Sequence, residues 1–124
     1  MKTSSAKAKG RRCSSYLKEK LLDYSEGLQT EDITVTSSGT TGEDLKLSPL
    51  ARSKFPFSFE CKNVEKLNIW NALKQARSHT SKHIPALVFT RNREQTYIAL
   101  DLDDFLKLFS KLPLDASEPR GDIL

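Results

Sequence analysis

The segment 57–62 constrains the fold of this chain most strongly, because its residues Phe-Ser-Phe-Glu-Cys-Lys alternate strictly between apolar and polar. Successive side chains of a β-strand point to opposite faces of a sheet, so this alternation predicts a strand with one apolar face. The apolar face, which we expect to lie in the core, consists of Phe57, Phe59 and Cys61. The opposite face carries Ser58, Glu60 and Lys62. Such a strand has to belong to a sheet that another layer covers on its apolar side.

Hydrophobic periodicity on either side of this strand predicts seven further short elements. The predicted helices span residues 11–24, 67–79 and 103–112, and the other predicted strands span residues 33–36, 44–47, 86–90 and 96–100. In the order α-β-β-β-α-β-β-α, the three early strands can form an antiparallel meander, and the second helix can cross over to a strand that pairs in parallel. We therefore expect an α/β fold of the α+β kind, with one mixed central sheet flanked by helices.

In the second helix, every third residue is apolar, which predicts a stripe that faces the core. The stripe consists of Leu67, Trp70, Leu73 and Ala76. Trp70 is accordingly interpreted as a core residue or as a contact between subunits, with base stacking as the alternative. Residues 48–54, between the second and third strands, are interpreted as a polar connection.

Positive charge is concentrated at the start of the chain, where residues 1–20 hold seven lysines and arginines against one acidic residue, Glu19. Residues 1–10 are predicted to form a flexible basic N-terminal arm, because their composition cannot bury apolar surface. One folded domain over residues 11–112 and a loose tail over residues 113–124 are predicted to follow. Such an arm can contact the phosphate backbone of a nucleic acid, and the alternative is a solubilising tail.

Several classes of protein are excluded by length and composition. The 124 residues suffice for about one small domain. No apolar run approaches the roughly 20 residues that cross a bilayer, and the N-terminus lacks the apolar stretch of a secretory signal. Cys13 and Cys61 have neither the spacing of metal ligands nor that of a disulfide framework, and both are predicted to be structural. We therefore expect a soluble cytoplasmic protein with no membrane partner.

A candidate site for chemistry lies on the polar face of the central strand. Asp44 follows a glycine-containing loop at the start of the preceding predicted strand, and the two carboxylates of Asp44 and Glu60 can converge if these strands are neighbours. Two hard oxygen ligands suit Mg²⁺, and Lys62 beside them can steady a water or stabilise charge in phosphodiester hydrolysis. The alternative is an exposed Glu60–Lys62 ion pair without a role. His79 and His83 lack metal partners in the sequence and are interpreted as phosphate contacts or exposed residues.

Asp44 and the sequence Glu60-Cys61-Lys62, within this order of elements, resemble the PD-(D/E)XK nuclease superfamily and its restriction-endonuclease-like αβββαβ core. Within the superfamily, the chain is most similar to Holliday-junction-resolvase-like endonucleases, including small ones carried by bacteriophages. Three further stretches carry the resemblance, namely Lys9-Gly10-Arg11-Arg12, Gly42-Glu43-Asp44-Leu45 and Gln75-Ala76.

Two positions depart from the family pattern. Glu43 precedes Asp44, where the family name has a proline. Resolvases of this type often carry an acidic residue on the first helix, whereas this chain has Ser14 at the corresponding place and Glu19 further along. The sequence leaves open which of Ser14, Glu19 and Glu43 takes the place of that acidic ligand.

The resemblance implies roles for individual residues. Asp44 and Glu60 would bind Mg²⁺ or Mn²⁺, with the backbone carbonyl of Cys61 as a further ligand. Lys62 would position or activate the attacking water, and Gln75 would orient Lys62 or that water from the following helix. The residues expected to contact DNA are Lys9, Arg11, Arg12, Arg52, Lys54 and Lys66.

The function that follows from the resemblance is metal-dependent endonucleolytic cleavage of DNA, with a phage resolvase of Holliday junctions or other branched DNA as the first interpretation. The alternatives are a homing or nicking endonuclease of the same fold and a non-catalytic DNA-binding protein. Two symmetric cuts require two sites, so we expect a homodimer that acts in the cytoplasm of the host cell. Its interface would use the stripe with Ile69 and Trp70 or the final helix with Leu106 and Phe109.

Overall fold

The alternating segment forms the first strand of a three-stranded sheet in the computed structural model, which describes residues 3–36 and 42–111. The helices are α1 (Thr3–Asp23), α2 (Pro49–Lys54), α3 (Ile69–Ser78) and α4 (Leu102–Ser110), with one 3-10 turn over Thr30–Asp32. The strands are β1 (Ile33–Val35), β2 (Leu45–Leu47), β3 (Phe57–Asn63), β4 (Ile84–Thr90) and β5 (Tyr97–Ala99). In the part of the chain that the structure describes, no helix is both long enough and apolar enough to span a bilayer.

β3, β4 and β5 form one mixed sheet, in which β3 and β4 run parallel while β4 and β5 run antiparallel. α3 is the crossover that joins the two parallel strands, and the ladder places Glu60 opposite Leu87 and Lys62 opposite Phe89. The mixed α+β fold class is therefore confirmed. The parallel pairing predicted for the strand after the second predicted helix is confirmed as well, since β4 pairs in parallel with β3.

The prediction of a single continuous sheet is wrong, since β1 and β2 form a separate antiparallel hairpin. β2 contains three residues, and the chain leaves it through α2, a short helix that the sequence analysis interprets as a connection. Ser48 caps this helix by accepting a hydrogen bond from the backbone N–H of Ala51, at 3.1 Å, and Pro49 occupies the first helical position. Ser-Pro is a known helix start, so the signal for α2 is present in the sequence.

The core lies between α1, the hairpin and the inner face of the three-stranded sheet. Phe59 and Cys61 are buried there, as the alternation predicts, and Cys13 is buried beside them, so that both cysteines are internal free thiols. Ser58 and Glu60 on the opposite face of β3 are buried as well. The polar face of this strand is therefore an enclosed surface, whereas an ordinary surface ion pair would be exposed to water.

α1 begins at Thr3, so the predicted start of the first helix at residue 11 is wrong. The helix extends past its apolar stripe because Lys9 lies against the end of β3. Its side chain forms an ion pair with Glu65 (Nζ–Oε2 3.6 Å), and its carbonyl accepts a hydrogen bond from Asn63 Nδ2 at 3.3 Å. The predicted tail, residues 113–124, lies outside the described residues.

The apolar stripe predicted for the second helix is only partly correct. Ala72 and Ala76 are the buried residues of α3, whereas Trp70 is 78% exposed, so its interpretation as a core residue is wrong. Each three-residue step turns a helix by about 300°, and four residues at this spacing drift by about half a turn. The stripe therefore begins on the outer side of α3 at Trp70 and reaches the core at Ala76.

Candidate active site

Glu60 lies in the middle of β3, and its side chain is only 5% exposed. Lys62 lies two residues further along the same face, with its ammonium Nζ 3.5 Å from Oε1 of Glu60. The other carboxylate oxygen, Oε2, lies 2.9 Å from Nδ1 of His79. Both oxygens of a buried carboxylate therefore have a nitrogen partner, and the two partners come from different elements.

Asp44 is held against β3 immediately before β2 begins. Its backbone N–H donates to the carbonyl of Phe59 at 2.9 Å, and its Oδ2 accepts a hydrogen bond from the N–H of Cys61 at 2.6 Å. These two contacts flank Glu60 along the strand. The structure thus brings Asp44, Glu60 and Lys62 to one stretch of β3, although the hairpin that carries Asp44 belongs to a separate sheet.

The two carboxylates are in an environment that opposes their ionisation. Burial raises the pKa of Asp44, and the hydrogen bond from Cys61 only partly offsets it. Burial also raises the pKa of Glu60, and the nearby charge of Asp44 raises it further, against the effects of Lys62 and His79. A bound cation would offset the repulsion between two such partly desolvated carboxylates.

The donors at this site fit Mg²⁺ or Mn²⁺. Both side-chain donors are carboxylate oxygens, which hard divalent cations prefer. Across residues 3–36 and 42–111, no group of three or more His, Cys, Asp and Glu side chains is arranged to hold a metal ion. Mg²⁺ usually keeps several waters and takes one or two carboxylates together with substrate phosphate. The pair of Asp44 and Glu60 matches that requirement, and the Cys61 carbonyl remains a predicted third ligand.

His79 is a residue of this site that sequence reasoning missed. It is the C-cap of α3, and its ring reaches Glu60 from the end of the helix that crosses over β3. Gln75, the residue predicted for this helix, is exposed, and within the described residues its side-chain amide forms no hydrogen bond with Lys62. The signal was nevertheless available, because His79 follows Gln75 by four residues and such residues are neighbours on a helix.

A cleft of about 260 Å³ opens beside His79. Its lining is mostly polar and holds both an acidic and a basic side chain, namely Gly42, Glu43, Lys46, Ser58, His79, Thr80 and His83. Ser58 and His79 border both the cleft and the surroundings of Glu60. The cleft therefore lies next to the candidate metal ligands, none of which lines it.

Two of the six residues predicted to contact DNA have internal partners instead. Lys9 is buried and paired with Glu65. Arg52 donates to the carbonyl of Phe57 and pairs with Glu43 (Nη2–Oε1 2.8 Å). Lys9 is thus buried and Arg52 is mostly buried, and the assignment of both residues to DNA stays a prediction. The other four are exposed: Arg11, Arg12, Lys54 and Lys66.

The structure also shows the surroundings of Ser14, Glu19 and Glu43, the three residues considered in place of an acidic ligand on the first helix. Glu43 is engaged by Arg52, and Glu19 is exposed on α1 and forms no ion pair among the described residues. Ser14 is buried on α1, beside Cys13, which packs in the same core cluster as Cys61. Within the described residues, α1 therefore contributes packing behind Cys61 and no carboxylate.

Comparison with known proteins gives one family. Residues 7–119 match the family described as "Phage putative PDDEXK endonuclease". No curated protein and no solved structure matches the chain significantly. The match covers nearly the whole chain, including α1, the hairpin with Asp44 and the strand with Glu60 and Lys62. Nucleases of this class act on DNA and generally use divalent metal ions. The chain therefore belongs to the phage PDDEXK endonuclease family.

Proposed function

We propose that this protein is a Mg²⁺-dependent endonuclease that resolves Holliday junctions or related branched DNA in the cytoplasm of a phage-infected cell. The observation that carries the proposal is the buried carboxylate of Glu60, which holds Lys62 and His79 on its two oxygens beside Asp44. A purely structural ion pair gives no reason to bury a second carboxylate, that of Asp44, next to the first one.

In this proposal, Asp44, Glu60 and the carbonyl of Cys61 hold the cation. When bound, Mg²⁺ supplies charge stabilisation at the phosphoryl group and lowers the pKa of a water. Lys62, whose ammonium lies on the open side of Glu60, positions the attacking water and stabilises charge on the phosphate. His79 is a positioning residue that fixes the second oxygen of Glu60. The products would carry a 5′ phosphate and a 3′ hydroxyl, as the superfamily resemblance implies.

The preference for branched over linear DNA is supported by the resemblance to Holliday-junction resolvases that Asp44, Glu60 and Lys62 carry. Exposed basic residues such as Arg11, Arg12 and Lys66 are suited to contacting the phosphate backbone and so to reading the shape of DNA. Symmetric resolution then requires a homodimer, because each chain carries one candidate site.

A labelled four-way junction and a linear duplex of the same sequence, each with Mg²⁺ or with EDTA, test the proposal. We expect paired cuts in the junction with Mg²⁺ and none with EDTA. Glu60→Gln and Asp44→Asn should each lower the cleavage rate by roughly a hundredfold or more, because a metal ion contributes several kcal/mol to the transition state. Both variants should still bind DNA, since neither loses a positive charge.

Glu26→Gln is the matched control, because Glu26 is an exposed carboxylate in the turn after α1. It should cut at the rate of the unaltered protein. Near-normal cleavage by Glu60→Gln or Asp44→Asn would disprove the ligand assignment. Sequence-specific cuts in the linear duplex would favour the homing or nicking alternative, and tight binding without any cleavage would favour the non-catalytic one.

A further inference from the structure

The outer side of α3 carries a combination of residues that packing does not explain. Trp70, Lys74 and Arg77 follow one another at four and three residues and therefore lie on one side of the helix. Ala72 and Ala76, which face the sheet, lie on the opposite side. All three outer residues are exposed, and the indole of Trp70 is the second most exposed large hydrophobic side chain in the described part of the chain. We call these three residues the α3 outer face.

The α3 outer face is positively charged. α3 contains no aspartate or glutamate, and neither Lys74 nor Arg77 forms an ion pair within residues 3–36 and 42–111. Lys66, just before the helix, is exposed as well. An aromatic ring next to unpaired cations is the combination with which proteins bind single-stranded nucleic acid, through base stacking and phosphate contacts.

Charge also decides between nucleic acid and a second copy of the chain as the occupant. A two-fold contact through this face would bring Lys74 and Arg77 of one protomer close to the same two residues of the other. Four like charges around a buried tryptophan oppose such a contact. A polyanion with flat apolar bases satisfies both the cations and the ring.

The α3 outer face is connected to the candidate active site by the helix itself. His79, at the end of α3, contacts Glu60, and Trp70 precedes His79 by nine residues. At 1.5 Å per residue this separation is about 14 Å along the helix axis, which corresponds to about four base steps of 3.4 Å. A strand cut at Glu60 can therefore extend to Trp70.

We infer that Trp70 stacks on an unpaired base a few nucleotides from the cut, while Lys74 and Arg77 contact the adjoining phosphates. This inference rests on the proposed nuclease function for the position of the cut. In an intact duplex every base is already stacked between its neighbours, so a protein aromatic side chain gains little there. Unpaired bases occur at branch points, flaps and frayed ends, and the α3 outer face thus selects DNA that contains them.

Trp70 is the only tryptophan in the chain, so its emission reports on this face directly. The test titrates the full-length protein, with Ca²⁺ in place of Mg²⁺ to prevent turnover, with three DNAs of equal length. These are a perfect duplex, a duplex with a single-stranded flap and a four-way junction. We expect strong quenching of the Trp70 emission by the flap and the junction, and weak quenching by the duplex.

Variants measured by fluorescence anisotropy of labelled DNA complete the experiment. Trp70→Ala should weaken binding to the flap by about 10- to 100-fold, in line with 1–3 kcal/mol per stacked base, and Trp70→Phe should restore much of it. Tyr24→Ala is the matched control, because Tyr24 is 83% exposed at the end of α1. It should bind like the unaltered protein.

Several outcomes separate this inference from the proposed function. Tight DNA binding with unchanged Trp70 emission, or equal affinities of Trp70→Ala and Tyr24→Ala, would overturn the inference while leaving the nuclease proposal intact. A dimer that dissociates in Trp70→Ala would overturn it as well, since the face would then be a subunit contact. Quenching without any cleavage in Mg²⁺ would support the inference and refute the nuclease proposal.

Discussion

Glu60 illustrates how partners offset part of the cost of burying a carboxylate inside a protein. Removing a carboxylate from water costs several kcal/mol, and the cost is offset only where each oxygen has a good partner. In this protein, Lys62 pairs with Oε1 of Glu60 and His79 pairs with Oε2. The position of Lys62 follows from β3 alone, whereas the position of His79 depends on where α3 ends.

Substitution of His79 tests its positioning role. His79→Leu should lower the cleavage rate and raise the Mn²⁺ concentration needed for binding by about 10- to 100-fold, as is typical when a partner of a metal ligand is lost. His79→Asn keeps a donor close to the place of Nδ1 and should restore most of both. Titration calorimetry with Mn²⁺ and single-turnover cleavage measure the two quantities. Equal Mn²⁺ affinity in His79→Leu and the unaltered protein would contradict the role.

At the level of residues, sequence reasoning succeeded where periodicity alone decides an environment. Alternation along β3 predicts which residues share the face of Glu60. The nearness of Asp44 to this face is predicted from its place just before β2. The internal partners of Lys9 and Arg52, which are Glu65 and Glu43, are recognisable only in the folded chain. His79 was missed although its spacing of four residues from Gln75 is visible in the sequence.

At the level of elements, one carboxylate joins the 3-10 turn, β1 and α2. Asp32 accepts hydrogen bonds from Ser48 Oγ (2.6 Å) and from the N–H of Gln29 (2.7 Å), and its carbonyl accepts one from the N–H of Ser48. The first two bonds lower the pKa of Asp32 below its ordinary value of 3.8. A lowered pKa means that the ionised form stabilises the fold, and that this contribution is lost as the pH falls from 3.8 through the folded-state pKa.

Asp32→Asn should therefore unfold at a lower temperature than the unaltered protein at neutral pH. The difference should shrink as the pH falls below 3.8, where the unaltered protein loses the same charge. Thermal unfolding followed by circular dichroism at several pH values measures it. Glu31→Gln, which alters an exposed neighbour, is the control. A difference that stays constant into acid would mean that the ionised carboxylate is not the source of the stability.

Whether a segment forms a helix or a strand was predictable where its periodic pattern is long. The first and last residues of each element were not predictable. β3, β4 and α3 appear close to their predicted ranges. The break between the two sheets was not predictable, because it depends on the shortness of β2 and on the turn into α2. The early start of α1 was not predictable either, since residues 3–10 have no apolar stripe of their own and the contacts of Lys9 with Asn63 and Glu65 exist only in the folded chain.

At the scale of the whole molecule, the salt dependence of DNA binding distinguishes exposed from buried cations. Arg11→Ser and Arg12→Ser together should reduce the slope of log affinity against log salt by about 0.9 for each lost phosphate contact. Lys9→Ser should leave the slope unchanged and destabilise the fold, because Lys9 is paired internally. Anisotropy titrations of duplex DNA at several salt concentrations give these slopes. An unchanged slope in the double variant would remove this part of α1 from the DNA interface.

The proposed homodimer has its best candidate surface on α4. Leu102 is 69% exposed and Leu106 is 52% exposed, and both lie at one-turn spacing on this helix. We expect a dimer by light scattering, and a monomer near 14.0 kDa after Leu106→Lys, which should nick junctions in one strand only. Trp70→Ala should remain dimeric. A mass near 14.0 kDa for the unaltered protein, with and without junction DNA, would exclude paired cutting by a dimer.

The attachment of Asp44 to β3 has a consequence for the newly made chain. Asp44 reaches Glu60 only after the hairpin has docked on β3, because its N–H and its carboxylate bind Phe59 and Cys61 there. During synthesis, the hairpin emerges before β3, and the ribosome must release that strand before the two can meet. In the proposed function, a nascent or partly folded chain would therefore lack the complete set of ligands, and cleavage would begin only after the hairpin has docked on β3.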